Sequence, residues 1–289
     1  MQYLSRTQYR EKNVQLIIAY RFHPTISKLV SDAGYNGILI PGTPEQFRTI
    51  ITGLRTFPLM RIGYPVDLIH LPGKSEPFLA HSIRNLPRCD MAMELVACLA
   101  RNVRQNATVT VYCYYAGDAT TLAENMQRRW GTLYRGGHPA DIVNIGGLEV
   151  RTVHSFTGRE SDIVILVTGA ANGQCADVDW LFNKEPGNVA ISRGKHGLFV
   201  IGNVDYLSDD RAETLGRFVR QVAEAFPVMA GTDFRKYLPS CGTRAQQYRA
   251  VTTTTQTISL LVDPNQADPR DLIAQCTLNN RYGWTYPRA

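Results

Sequence analysis

VRTVHSFTGRESDIVILVTG runs from Val150 to Gly169, and GNVAISRGKHGLFVIGN runs from Gly187 to Asn203. The first stretch holds two strand candidates, Glu149 to His154 and Asp162 to Thr168. The second holds a short helix around Asn188 to Lys195 and then a strand from His196 to Gly202. The apolar run Ile163 to Val167 is far too short to cross a membrane and suits a buried strand.

Outward from this pair the same alternation continues. A helix from Thr25 to about Ala33 follows Pro24, and a turn-rich segment from Gly34 to Pro44 ends it. Val66 to Leu71 reads as a buried strand. Met91, Leu95, Cys98, Leu99 and Val103 recur at helical spacing between Asp90 and Arg104. A strand from Ala107 to Tyr115, a helix from Gly117 to Trp130, a strand from Asp141 to Ile145 and a closing helix from Asp209 to Phe226 complete the series. Strands alternating with helices imply an α/β fold: a mainly parallel sheet covered on both faces, with function at the strand ends. After about Gly231 the pattern dissolves into Thr252 to Thr255, polar turns and the ending WTYPRA. The expected division is a leader over 1–13, a core domain over 14–230 and an irregular tail over 231–289, poorly ordered or separately docked.

Hydrophobic residues at 44% and charged residues at 19% of 289 are ordinary for a globular chain. Mean hydropathy of -0.19 argues against both a membrane protein and a disordered one. The polar start MQYLSRTQYREK has no apolar signal core, so secretion is not expected. Cys89, Cys98, Cys113, Cys175, Cys241 and Cys276 show neither CxxC nor zinc-finger spacing, which suggests reduced thiols in a cytoplasmic or nuclear protein and no metal site. A net charge of +6 fits a phosphate-bearing partner, because clustered cations displace condensed counterions.

Gly73-Lys74-Ser75 looks like the end of a phosphate-binding loop, GxxxxGK[ST], but Leu68 stands where the first glycine is required. Glu76 and Pro77 follow where a helix N-terminus is needed, and the sequence has no other GK[ST]. The chain therefore has no visible triphosphate cradle of its own. Gly146-Gly147 is likewise too little for a dinucleotide-binding turn.

The two opening stretches resemble motifs V and VI of superfamily 1 helicases of the nonsense-mediated-decay and DNA2/NAM7 type, roughly V-x-T-V-D-S-F-Q-G-R-E-x-D-I-V-I and R-R-L-N-V-A-L-T-R-A-[RK]-x-G-L-x-I-x-G-N. AYRFHPTISKLVSDAGYNGILIPG, Ala19 to Gly42, resembles motif IV, and VYCYYAGDATTL, Val111 to Leu122, stands in the place of I-T-P-Y-x-x-Q. The resemblance covers about Val14 to Phe226. It implies the second RecA-like lobe, a P-loop NTPase type of three-layer domain over 14–230.

In such helicases ATP lies between two lobes, and the second offers arginines to the charge developing on the transferred phosphate. Guanidinium suits that task because it stays protonated and binds phosphate oxygens as a fork. The resemblance assigns this to Arg193 and Arg21, places Glu160 near the ribose or the water network of the phosphates, and adds Gly158 and Tyr20 to the nucleotide-facing set. Thr152 and Ser155 match nucleic-acid contacts that read phosphate and sugar rather than sequence. Asn188 either joins them or orients the motif VI helix. His154 reads as a structural or solvated histidine, since nothing at metal-ligand spacing accompanies it. The implied partners are single-stranded RNA or DNA and a first RecA-like lobe, in cis or in trans. ATP and Mg²⁺ would be bound only when that lobe is supplied, so the chain alone is expected to hydrolyse no ATP.

Several positions depart from the family pattern. His154 replaces Asp, Thr157 replaces Gln, Ala19 and Asp118 replace Gln, Glu185-Pro186-Gly187 replaces Arg-Arg-Leu, and Gly194 replaces a helix-favouring Ala. These changes keep a second function open: a degenerate, non-catalytic helicase-like module that binds nucleic acid or a protein partner.

Overall fold

The structure is a computed structural model and describes residues 16–42, 65–78, 82–103, 106–130, 145–156, 159–169, 183–225 and 228–233. Strand β1 (Ile18–Ala19), helix α1 (Pro24–Gly34) and strand β2 (Ile40–Pro41) come first, β1 and β2 pairing in parallel as a small separate sheet. Next are β3 (Val66–His70), the antiparallel pair β4 (Glu76–Phe78) and β5 (Ser82–Arg84), α2 (Leu86–Asn102), β6 (Ala107–Cys113) and α3 (Ala116–Trp130). Then follow β7 (Ile145–Thr152), a 3-10 turn (His154–Phe156), β8 (Ser161–Val167), α4 (Lys184–Ile191), β9 (Gly194–Gly202), α5 (Val204–Leu207), α6 (Thr214–Ala225) and β10 (Met229–Ala230).

Six of the strands form one wholly parallel sheet in the order β10-β3-β9-β8-β6-β7. Alternation along each strand divides its side chains between two cores. On β8, Ile163, Ile165 and Val167 join a cluster with Leu95, Leu99 and Leu122 of α2 and α3. Val164 and Leu166 point the other way, into a cluster with Ile26 of α1, Ile191 of α4 and Phe218 of α6. The sheet is thus covered on both faces, as expected of parallel strands rich in Val, Ile and Leu. Each fully buried aliphatic side chain contributes roughly 1.5–3 kcal/mol to this sandwich.

Helices α2, α4 and α6 differ in their bounds from the sequence reading, α6 beginning at Thr214 rather than Asp209. Helix α2 starts four residues before Asp90, because the side chain of Asn85 accepts from the Arg88 backbone N–H at 3.2 Å and Pro87 falls in the first turn. Proline costs no hydrogen bond there, since first-turn N–H groups have no intrahelical acceptor. Helix α4 occupies Lys184–Ile191 rather than Asn188 to Lys195; Pro186 falls in its first turn, and Asn183 at its start makes no side-chain cap bond. Arg193 and Gly194 therefore lie outside the helix, and no helix propensity is lost at Gly194, which opens β9. A Cβ at Gly194 would meet the Gly197 carbonyl oxygen at 2.6 Å, so the turn into β9 needs glycine there.

A strand, β4, follows Gly73-Lys74-Ser75, where a phosphate loop would require a helix. Cys89 and Cys113 are buried free thiols, whereas Cys98 is disulfide-bonded and departs from the expected reduced state. Spacing along the chain does not reveal which sulfurs a fold brings within bonding distance. Among the described residues no helix is long and apolar enough to cross a membrane. The strand expected at Asp141 falls mostly outside the described residues, with only Ile145 inside β7, and nearly all of the expected tail lies outside them too.

Candidate functional site

Neighbouring strands β8 and β9 pair Ser161 with Gly194, so the residue before each strand, Glu160 and Arg193, stands at the same edge of the sheet. The Ser161 N–H donates to the Arg193 carbonyl at 3.1 Å, and the His23 N–H donates to the Lys195 carbonyl at 2.8 Å. The second bond draws the entry to α1, and with it Arg21, to the same edge. Three segments far apart in sequence meet there through backbone pairing alone.

Their side chains then interlock. Arg21 donates from Nε to Glu160 Oε2 at 2.8 Å and from a terminal nitrogen to the Ser192 carbonyl at 3.2 Å. Lys195 Nζ lies 2.8 Å from the other oxygen, Glu160 Oε1. Hydrogen bonding from Lys195, reinforced by Arg21, holds the Glu160 carboxyl below its ordinary value. Arg193 is 9% exposed. One terminal nitrogen reaches the Arg159 carbonyl at 3.5 Å, and its Nε has no hydrogen-bond partner among the described residues. Burial pulls the Arg193 guanidinium below its usual range; Tyr112 opposes this and the Arg21 charge adds to it. A guanidinium nonetheless stays protonated at neutral pH. The edge thus presents three cations around one carboxylate, an arrangement chemically suited to anionic oxygens.

Of the nucleotide-facing residues expected from sequence, Arg21, Glu160 and Arg193 are brought together. Tyr20 is the neighbour of Arg21 and 60% exposed, while Gly158 lies outside the described residues. Thr152, the last residue of β7, and Ser155, in the turn that follows, sit at the opposite, carboxyl edge. Seven residues of β8 at about 3.3 Å each separate the two edges by roughly 20 Å. The Ser155 hydroxyl accepts from the Thr152 N–H at 3.2 Å and from its hydroxyl at 3.1 Å, closing a small exposed turn. Asn188 joins neither group: its side-chain amide donates to the Tyr35 hydroxyl at 2.9 Å, tying α4 to the end of α1. The expected site residues are thus divided between the two edges of the sheet, with the arginines at the amino ends.

Lys195 and the Ser192 carbonyl were not foreseen. Alternation from Arg193 across Gly194 is the one sequence signal for Lys195, because residues two apart on an extended chain share a side. Among the described residues no cluster of three or more His, Cys, Asp or Glu could hold a metal ion.

The sequence model of an AAA domain family, AAA_12, matches residues 1–205. The chain belongs to that family. It is the C-terminal lobe type of superfamily 1 helicases of the nonsense-mediated-decay and DNA2/NAM7 kind, with a RecA-like α/β fold. Regulator of nonsense transcripts 1 from Caenorhabditis elegans is 29% identical over 196 residues, 67% of this chain and 17% of that protein. ATP-dependent helicase NAM7 from Saccharomyces cerevisiae is 27% identical over 192 residues, 66% of this chain and 18% of that protein. The 5'-3' DNA helicase ZGRF1 from Mus musculus is 23% identical over 200 residues, 69% of this chain and 10% of that protein. The chain thus spans less than a fifth of the length of each. A crystal structure of the C-terminal domain of a possible DNA helicase from Lactobacillus plantarum aligns with a TM-score of 0.35 at 16% identity, over 64% of this chain and 87% of that one.

Proposed function

We propose that this AAA_12 domain is the second RecA-like lobe of an ATP-dependent superfamily 1 helicase, coupling ATP hydrolysis to movement on single-stranded RNA or DNA. The observation that carries the reading is the meeting of Arg21, Glu160 and Arg193 at the amino edge of β8 and β9. Arg193, with its buried Nε unpartnered among the described residues, and Arg21 reach for the phosphate whose charge grows in the transition state. The exposed ring of Tyr20 offers a face to the base, and Glu160 lies within the phosphate-facing network. Gly158, by its motif, is assigned to the same nucleotide-facing set. Thr152 and Ser155 contact the nucleic-acid backbone at the other edge, and Asn188 acts by fixing α4 against α1.

These residues fit the phosphates of ATP but supply no carboxylate cluster for Mg²⁺ among the described residues, so the metal and the triphosphate cradle belong to a first lobe. The chemistry Mg²⁺ would supply there is positive charge that neutralises the phosphates. Leu16, Ile17, Ile18, Ile38 and Ile40, all exposed on or beside β1 and β2, give that lobe an apolar surface next to Arg21. A cytoplasmic or nuclear setting suits such a protein.

The test is reconstitution. Mixing the chain with the first RecA-like lobe of a relative is expected to give ATP turnover stimulated by single strands, lost in Arg193→Ala and only weakly restored by Arg193→Lys, since ammonium lacks the fork. The chain alone is expected to turn over no ATP. Turnover that survives Arg193→Ala in the mixture would sink the proposal.

A further inference from the structure

Glu160 divides its two carboxylate oxygens between two cations, Oε2 to Arg21 Nε and Oε1 to Lys195 Nζ, each at 2.8 Å. This is the pattern two oxygens of a phosphate group would make with the same pair. We propose that Lys195 is a third phosphate-contacting cation of this edge, and that Glu160 is a resident anion holding Lys195 and Arg21 in place until a phosphate oxygen replaces it. The proposal rests on the nucleotide reading given above and adds a residue and a mode of exchange to it.

Four observations point the same way. Arg21, Arg193 and Lys195 face one carboxylate, so the edge keeps an excess of positive charge that a polyanion would neutralise better than Glu160 does. The partners are replaceable: the Arg21, Lys195 and Glu160 side chains are 36%, 32% and 40% exposed, and ion pairs at that exposure are weak. The backbone under Lys195 is fixed, because its carbonyl accepts from the His23 N–H at 2.8 Å while its Nζ stays at the surface. Finally, the Nε of buried Arg193 has no partner among the described residues, although it lies within electrostatic reach of Arg21 and Glu160. An oligophosphate would thus meet Lys195 and Arg21 where Glu160 now stands and satisfy Arg193 behind them.

The consequence runs against the ordinary effect of removing a site residue: neutralising Glu160 should improve anion binding. Inorganic tripolyphosphate, titrated calorimetrically into the full chain at low salt, is the probe. Glu160→Gln is expected to bind roughly fivefold tighter than the wild type, the effect of one unit charge at a few ångströms in a water-rich setting. Lys195→Met is expected to weaken binding in both backgrounds, and Lys195→Arg to restore it. Glu160→Gln binding no tighter, Lys195→Met binding unchanged, or no binding by any variant each overturns the inference. The nucleotide reading fails separately: if tripolyphosphate behaves as expected while ATP binds no tighter, the phosphate site stands and the nucleoside role of Tyr20 falls.

Discussion

The N–H of Ser161 donates to the carbonyl of Arg193 at 3.1 Å, and this single rung between β8 and β9 sets Glu160 beside Arg193. Gly194 is the residue that lets Arg193 turn into the rung. In Gly194→Ala the new Cβ would lie 2.6 Å from the Gly197 carbonyl oxygen, a backbone atom that cannot step aside as a flexible side chain would. Overpacking of this kind typically costs about 1–3 kcal/mol. The expected outcome is a melting temperature several degrees lower, with a loss of tripolyphosphate affinity in the molecules that remain folded. A melt and an affinity both equal to the wild type would show that the turn tolerates a side chain.

Asp118 predicts a pH dependence of unusual sign. Its carboxyl is buried at the start of α3, with Oδ1 accepting from the Asn85 N–H at 2.7 Å and Oδ2 unpartnered among the described residues. Burial pushes its pKa up to about 6, against the opposing pull of the Asn85 and Cys89 hydrogen bonds and the Arg88 charge. The unfolded chain loses this proton near the ordinary value of 3.8, so between the two values the folded state holds more protons. Stability from this group is therefore present below pH 3.8 and lost as pH rises through about 6, by roughly 3 kcal/mol in all. Asp118→Asn, neutral throughout, should gain on the wild type in urea unfolding as pH rises from 4 to 7. A constant difference between the two proteins across that range would remove the buried carboxylate from the explanation.

His23 works in the opposite direction. Its Nδ1 accepts from the Thr25 N–H at 3.1 Å and caps α1, which only the neutral ring can do. Burial, with the His196 charge adding to it, lowers its pKa to about 3. Here the unfolded state holds more protons from pH 6.5 downward, so the cap's stabilisation is complete above pH 6.5 and is lost as pH falls toward 3. Asn is also a favoured capping residue. His23→Asn should therefore resist acid better than the wild type between pH 6.5 and 4, when melts of the two are compared. Since the His23 and Asp118 windows overlap with opposite signs, a flat wild-type profile should resolve into two slopes in the single variants.

The sheet was readable because Ile163 to Val167 and Leu198 to Ile201 are apolar runs whose alternate members face two cores. The start of α2 was missed because hydrophobic spacing begins at Met91, while the helix is started by Asn85 and Pro87, whose effect is local hydrogen bonding. Helix α4 was misplaced because Pro186-Gly187 reads as a breaker; Gly187 sits 3.2 Å, measured from its would-be Cβ, from the Leu215 N, where α6 passes closely. Motif resemblance selected Arg21, Glu160 and Arg193, which do meet. It could not supply the bond from Lys195 to Glu160, 35 positions apart and made by side chains, nor the division of the expected site between two edges, which follows from strand direction.

That division gives the last prediction. Ser155 and Asn188, both expected at a nucleic-acid surface, differ in what holds them. The Ser155 hydroxyl donates to the Thr152 carbonyl at 3.0 Å within an exposed turn at the carboxyl edge. Asn188 donates to the Tyr35 hydroxyl at 2.9 Å, and its Oδ1 lies 2.9 Å from where a Cβ on Gly34 would stand. Ser155→Ala should reduce affinity for a fluorescent single-stranded oligonucleotide by a few fold. The slope of affinity against salt should not change, because no counterion is released by a neutral hydroxyl. Asn188→Ala should leave that affinity unchanged but cost about 1 kcal/mol of stability, and the loss should not add to that of Tyr35→Phe, since both remove one hydrogen bond. Additive losses for the pair, together with weakened oligonucleotide binding in Asn188→Ala, would move Asn188 from the helix contact to the nucleic-acid surface.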